Sequence, residues 1–114
     1  ICNVEIAERI AESIRQSIAT EPLLANAYRE ATDRRIWVEH DFVDADGKLL
    51  RPDRVVVSDS ETLVIDFKFG SARNEYRSQV QRYVRLLEQL DFPAPRGVLW
   101  YIPPSGDACR VEIC

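Results

Sequence analysis

The chain has 114 residues, of which 46% are apolar and 30% charged, and its formal net charge is −4. This length suits a single globular domain, and the acidic balance argues mildly against strong sequence-independent binding to DNA. No apolar stretch approaches the ~20 residues of a membrane span, and none resembles a signal peptide.

The numbers of methionines and cysteines indicate what kind of polypeptide the sequence comes from. The sequence contains no methionine, so we expect it to be a piece of a longer polypeptide. Its three cysteines are Cys2, Cys109 and Cys114. An odd number of cysteines without a leader favours reduced thiols in a cytoplasmic protein over a disulfide framework.

Two helices are predicted at the start of the chain. Apolar residues at three- and four-residue spacing indicate an amphipathic helix over residues 3–19, with Asn3 as a plausible N-cap. Pro22 suits the first turn of a second helix, which we expect to run to about Ala31.

Three strands should follow, over residues 36–43, 49–57 and 62–69, with a hairpin turn at residues 44–47. The second and third strands lack clean alternation, which predicts cover on both faces. A long helix over residues 73–90 should then cross to a strand at 97–102 that is parallel to the third. A short edge strand over residues 109–113 completes an α/β domain with a mixed sheet.

The most informative segment is Asp66-Phe67-Lys68, at the end of the third strand. Because side chains alternate along a strand, Asp66 and Lys68 share one face, while Ile65, Phe67 and Phe69 are expected to point into a core. A carboxylate and an ammonium side by side can act on one phosphate. An ion pair that only caps the strand is the alternative.

The surrounding spacing strengthens the first interpretation. Pro52-Asp53 stands thirteen residues before Asp66, and Gln79 stands thirteen residues after it, four before Tyr83. The order Pro-Asp, Asp-x-Lys and Gln-x-x-x-Tyr resembles the PD-(D/E)xK nuclease superfamily. Within it, residues 36–102 are most similar to the RecB-type nuclease domain of exonuclease V and related UvrD-like helicase–nucleases.

The resemblance implies a restriction-endonuclease-like αβββαβ core and a Mg²⁺ (or Mn²⁺) site. It implies that Asp53 and Asp66 are metal ligands, with the backbone carbonyl of Phe67 as a possible third, and that Lys68 is the catalytic lysine. It also implies a metal-dependent DNA exonuclease that acts in DNA repair and recombination. The partners would then be DNA and a helicase portion of the same polypeptide or of another subunit.

The resemblance also implies a role for the helix after the Asp-x-Lys strand. Gln79 and Tyr83 are neighbours on one helix face and should line the site beside metal and DNA. We expect Gln79 to contact a phosphate, a water or Lys68, with Tyr83 positioning it. Tyr83 also belongs to the apolar stripe, where it would be a core ring whatever else it does.

The sequence departs from the family at the acid or histidine that usually precedes the three strands. The single histidine, His40, falls in the first predicted strand. Glu5, Glu8 and Glu12 share a face of the first helix and are candidate replacements, although a solvated polar face explains them as well.

The arginines, the cysteines and the overall function each allow more than one interpretation. Arginines predominate in residues 73–96, and Arg82 and Arg85 are either phosphate contacts or solvated side chains. Some relatives hold an iron–sulfur cluster on four cysteines, whereas ordinary reduced cysteines fit the three found here. The alternatives to a helicase-linked exonuclease are a noncatalytic nuclease-like DNA-binding or scaffold module and a stand-alone nuclease.

Overall fold

The structure is a computed structural model that describes residues 3–114. The helices of this part are α1 (Asn3–Thr20), α2 (Pro22–Tyr28) and α3 (Asn74–Gln89). The strands are β1 (Arg35–Val38), β2 (Phe42–Val43), β3 (Leu49–Leu50), β4 (Arg54–Val57), β5 (Thr62–Phe69), β6 (Pro95–Ile102) and β7 (Arg110–Ile113). Among these residues no helix is long and apolar enough to cross a membrane.

Five strands form one mixed sheet in the order β1-β4-β5-β6-β7. The pairs β1–β4 and β4–β5 are antiparallel, and α3 then crosses over so that β6 lies parallel to β5. β7 pairs antiparallel with β6 at the edge. This arrangement confirms the predicted α/β class and the parallel pair, while the restriction-endonuclease-like assignment stays a prediction.

Both faces of the sheet are covered, as the unbroken valine run predicts. On one face, Leu24 and Ala27 of α2 pack with Ile65 and Trp100, and α1 adds half-buried isoleucines. On the other face, Leu87 of α3 and its neighbours pack on the opposite side of the same strands. The sheet is therefore a central layer between α1–α2 and α3.

The first two predicted strands are each broken in two, which corrects the sequence-based boundaries. Glu39 has a φ of 49°, in the left-handed region, and ends β1. Pro52 separates β3 from β4 because it has no N–H to donate to a ladder. The pieces β2 and β3 form a separate two-stranded ribbon, and His40 lies in the link before it rather than in a strand.

The second helix is shorter than predicted, since it ends at Tyr28 instead of near Ala31. Arg29 is already extended, with φ −72° and ψ 146°. The guanidinium of Arg34 donates to the carbonyls of Asn26 and Arg29. The side chain thus satisfies carbonyls that another helical turn would otherwise have used.

The end of β5 also differs from expectation. Ile65 is fully buried, but Phe67 and Phe69 are 36% and 57% exposed. The register of β5 with β4 ends at Ile65, and residues 66–69 pair with β6 alone within residues 3–114. This half of the strand therefore projects past its neighbour, and its two aromatic rings are not enclosed.

Candidate active site

The two candidate metal-binding carboxylates meet at the point where β4 begins. Arg54 pairs with Ile65, so one further step of the antiparallel register places Asp53 opposite Asp66. Asp66 is only 2% exposed, and Asp53 is half-buried. Their carboxyl groups lie within hydrogen-bonding reach of each other. The structure therefore brings together the two acids predicted from spacing.

A backbone contact fixes this arrangement. The N–H of Phe67 donates a 2.8 Å hydrogen bond to Oδ2 of Asp53. In a regular antiparallel pair, a backbone carbonyl of β4 would accept this hydrogen bond instead. The N–H and C=O of one strand residue point to the same side. The carbonyl of Phe67 consequently faces the same open edge as its N–H, which is where a third metal ligand was expected.

Lys68 lies beside the acids on the same face of β5. Its Nζ is 3.0 Å from Oδ2 of Asp66 and 5.0 Å from the ring centroid of Tyr76. The ion pair is close, yet Oδ2 of Asp66 is buried without an aligned hydrogen-bond donor among the described residues. The attraction is thus Coulombic, and this oxygen retains capacity for another electropositive partner.

Two adjacent carboxyl groups in a partly buried position are unlike two separate ones, because simultaneous ionisation of both is unfavourable. Burial, followed by the hydrogen bond and the charge of Asp66, raises the pKa of Asp53 to about 7, against the lowering effects of the Phe67 N–H and Lys68. The buried, unsatisfied oxygen and this crowding of negative charge both fit a hard divalent cation, which prefers carboxylate oxygens.

Gln79 and Tyr83 of α3 face the same site. Tyr83 is 4% exposed, as its place in the apolar stripe predicts, and its hydroxyl donates to the carbonyl of Arg51 at 3.4 Å. Burial and then the charges of Asp66 and Asp53 raise the pKa of Tyr83 to about 12, while Arg82 and the hydrogen bond from Gln79 act in the opposite direction. Tyr83 is therefore a neutral hydroxyl, and Gln79 is held beside it.

The other candidate ligands are not brought to this point. Glu5, Glu8 and Glu12 are exposed on α1, and Glu12 pairs with Arg15. Within residues 3–114, no third Asp, Glu, His or Cys completes a metal-binding group with the two carboxylates. The described acids of α1 therefore fit the solvated-face interpretation.

Two of the arginines of α3 face the β2–β3 turn. Arg82 and Arg85 are exposed and line a small depression together with Asp44 and Asp46 of the β2–β3 turn. Nearby acids therefore offset their charge, and this depression is separate from the paired carboxylates.

The described cysteines flank β7. Cys109 Sγ lies 3.2 Å from Ser13 Oγ, and Cys114 follows the end of the strand. Five residues of extended chain, roughly 16 Å, separate the two thiols, which is too far for neighbouring ligands of one cluster. Cys2 lies outside the described residues.

Tyr76 is the site residue that sequence reasoning missed. Its ring contacts the ammonium of Lys68, whereas the sequence placed it only in the apolar stripe of the helix. The available signal was its position three residues before Gln79, which puts both on one face of α3.

Comparison with known proteins adds support for the fold. No family model and no curated protein matches the chain. Among seven matching chains of solved structures, one from the crystal structure of SSO0001 has a TM-score of 0.52 and 17% sequence identity. The match covers 96% of this chain but 60% of that one. At this identity the similarity shows a shared α/β fold alone.

Proposed function

We propose that this domain hydrolyses phosphodiester bonds of DNA with the help of a divalent metal ion. The observation that carries the proposal is the meeting of Asp53 and Asp66 with the Lys68 ammonium 3.0 Å from the second carboxylate. Acids and an amine converge here where β5 projects past the start of β4.

In this proposal each group has a defined task. Asp53 and Asp66 hold Mg²⁺ or Mn²⁺, with the Phe67 carbonyl as a further oxygen ligand. The bound ion would supply charge neutralisation at the phosphoryl oxygens and a water of lowered pKa. Lys68 donates to a phosphoryl oxygen or orients the attacking water, because its ammonium is compact and can rotate its three donors.

The α3 side chains would orient these groups. Tyr83 remains protonated at neutral pH and can only donate or accept through its hydroxyl. Gln79, which lies beside it, has an amide that can reach a phosphate or water from the helix side. Tyr76 would keep the Lys68 ammonium over its ring.

The finer assignment is an exonuclease domain of a helicase–nuclease in DNA repair or recombination. It rests on the similarity of the Pro-Asp, Asp-x-Lys and Gln-x-x-x-Tyr spacing to RecB-type nucleases. A module tethered to a DNA-bound motor needs little affinity of its own, which suits a domain with net charge −4.

Metal titration and cleavage assays test the proposal together. Mn²⁺ should bind the wild-type chain in calorimetry, and binding should be lost in Asp66→Asn but retained in Asp59→Asn, which removes an exposed turn carboxylate. Lys68→Ala should reduce cleavage of labelled DNA about 10²–10³-fold. Lys48→Ala, which removes an exposed lysine, should not reduce it. Equal activity of Lys68→Ala and wild type would contradict the assignment.

A noncatalytic DNA-binding or scaffold module is the second candidate. It is favoured by the presence of only two acids at the site within residues 3–114. A scaffold has no need to bind Mn²⁺ through Asp53 and Asp66. Calorimetry without Mn²⁺ binding, combined with measurable DNA binding, would therefore favour this candidate.

A further inference from the structure

Strand β1 forms one edge of the five-stranded sheet, and among residues 3–114 no strand pairs with its outer side. Ile36 and Val38 on this strand are 39% and 60% exposed. Natural sheets often protect such an edge with lysine or proline, and neither interrupts the run from Ile36 to Val38. An apolar edge without this protection is suited to pairing with another strand.

The backbone of β1 shows which of its polar groups are available. The N–H of Glu39 donates to the carbonyl of Asp53, which the β1–β4 register, extended by one step, places directly opposite. Because the direction of these groups alternates along an antiparallel strand, Trp37 also bonds toward β4, whereas Ile36 and Val38 direct their N–H and C=O groups outward. The residues with exposed apolar side chains therefore also carry the free backbone groups.

Opposite charges flank this apolar run. Arg35 precedes it, Glu39 follows it, and both side chains are exposed. Neither residue belongs to an ion pair among the described residues. The guanidinium carbon of Arg35 lies 5.3 Å from the ring centroid of Trp37. The strand thus begins with a positive charge and ends with a negative one, and each is free to meet an opposite charge.

A second copy of β1 in antiparallel orientation complements this strand. With Trp37 on the two-fold axis, Ile36 of each copy faces Val38 of the other, so the outward N–H and C=O groups of both strands are paired. The same register places Arg35 of each copy opposite Glu39 of the other, which is favourable for opposite charges. Changing which residues face each other by two positions loses the contact between Arg35 and Glu39 and leaves outward groups unpaired.

The other edge strand of the sheet, β7, lacks this complementarity. The N–H of Cys114 bonds back to β6, so Val111 and Ile113 face outward. Pairing these two residues across a two-fold axis places Glu112 opposite its own copy, which is repulsive. Glu112 is also already paired with Arg77 at 3.3 Å. The charges therefore favour β1 as the edge that pairs.

We propose that two copies of this chain associate through β1 and join their sheets into one continuous sheet. The inference is independent of the proposed nuclease function, because β1 carries none of the candidate site residues. The contact is small since the strand is short, so the dimer is weak and depends on concentration. Its two-fold axis is perpendicular to the sheet, which leaves both pairs of carboxylates on the same side of the joined sheet.

Sedimentation equilibrium between about 10 and 500 μM chain tests the proposal, and wild type should shift from monomer to dimer over this range. Arg35→Glu and Glu39→Arg should each weaken dimerisation about 10-fold or more, because symmetry places like charges opposite each other twice. An equimolar mixture of the two variants should dimerise again to within about threefold of wild type, since the glutamates of one chain then face the arginines of the other. Circular dichroism checks that each variant is folded.

A second substitution tests the apolar pair. Val38→Lys replaces a 60% exposed side chain, so it should leave the fold intact and weaken dimerisation about 10-fold or more. Val43→Lys is the matched control, because it makes the same change at a 54% exposed valine of the β2–β3 ribbon and should leave the dimer unchanged. Arg110→Glu, on the opposite edge strand, should leave it unchanged as well.

Each other outcome overturns the inference. These outcomes are a wild type that stays monomeric throughout the range, and a dimer that Arg110→Glu dissociates while Glu39→Arg does not. A mixture of folded charge variants that stays monomeric does so too. If a charge variant fails to fold, Val38→Lys decides, and a dimer as strong as that of Val43→Lys overturns the proposal. Loss of cleavage in Lys68→Ala has no bearing on any of these results, so the two proposals fail separately.

Discussion

The two halves of β5 differ sharply although they belong to one strand. Residues 62–65 lie between β4 and β6, and all four are buried. Residues 66–69 have β6 on one side only, and they carry a buried acid, a lysine and two exposed rings. The enclosed half supports the fold, and the projecting half presents chemical groups at an open edge. One strand can therefore combine an enclosed, rigid segment with an exposed segment that holds the candidate site.

The largest effect should come from the enclosed half. Ile65→Ala removes a fully buried side chain from the α1–α2 face of the core. It should lower the free energy of unfolding by about 2–5 kcal/mol, because the lost contacts leave a cavity. Urea denaturation monitored by circular dichroism measures this loss. A loss below ~1 kcal/mol would mean that this half is not the structural part.

The next largest effect is expected at Asp53, the acid opposite the projecting half of β5. Its substitution should raise the free energy of unfolding, whereas Ile65→Ala should lower it. Asp53→Asn removes a negative charge beside Asp66. The new amide can also donate a hydrogen bond to the buried Oδ2 of Asp66. In metal-free buffer at pH 8 the variant should therefore be more stable than wild type, by on the order of 2 kcal/mol. It should also fail to bind Mn²⁺. Lower stability in urea would contradict this expectation.

The pH dependence of wild type follows from the same group. The pKa of Asp53 is raised in the folded state from its ordinary value of 3.8 to about 7. The folded chain thus holds more protons than the unfolded chain between these values, and this contribution to stability is lost as pH rises through about 7. Urea midpoints should decline across this window in metal-free wild type, and Asp53→Asn or saturating Mg²⁺ should flatten the decline.

A smaller effect is expected at Tyr76, a positioning residue for Lys68. Tyr76→Leu removes the ring beneath the ammonium and should reduce cleavage about threefold to tenfold. Tyr76→Phe keeps the ring and should restore activity. Equal loss in both variants would show that the hydroxyl or packing, rather than the ring face, is responsible.

The smallest effect on stability belongs to the exposed ring. Phe69→Ala should change the free energy of unfolding by less than about 1 kcal/mol, since the side chain is mostly in solvent. Compared with Ile65→Ala under the same conditions, it measures the contrast between the two halves within one strand. A loss as large as that of Ile65→Ala would remove the contrast.

The sequence predicted some of these features well. The bounds of β5 follow from its apolar run and the glycine after it, and α3 follows from its apolar stripe. The approach of Asp53 to Asp66 is expected because side chains at opposite positions of two paired strands lie on the same face of the sheet. The sequence does not predict the exposure of Phe67 and Phe69. It arises because β4 begins only at Arg54, so that β5 extends beyond it, and this depends on the register of the two strands. Glu39 gives no local sign of its left-handed backbone, so the break after β1 was also missed.

The hydrogen bond from Phe67 to Asp53 has a consequence for ion selectivity at the proposed metal site. One oxygen of this carboxylate already accepts the backbone N–H, so it is a weaker ligand than the other oxygen, and a symmetric bidentate grip by Asp53 is disfavoured. Large ions such as Ca²⁺ gather six to eight oxygens and exploit bidentate acids, whereas Mg²⁺ keeps much of its water shell and accepts single oxygens. At the proposed metal site, this arrangement would therefore suit the smaller, hydrated ion.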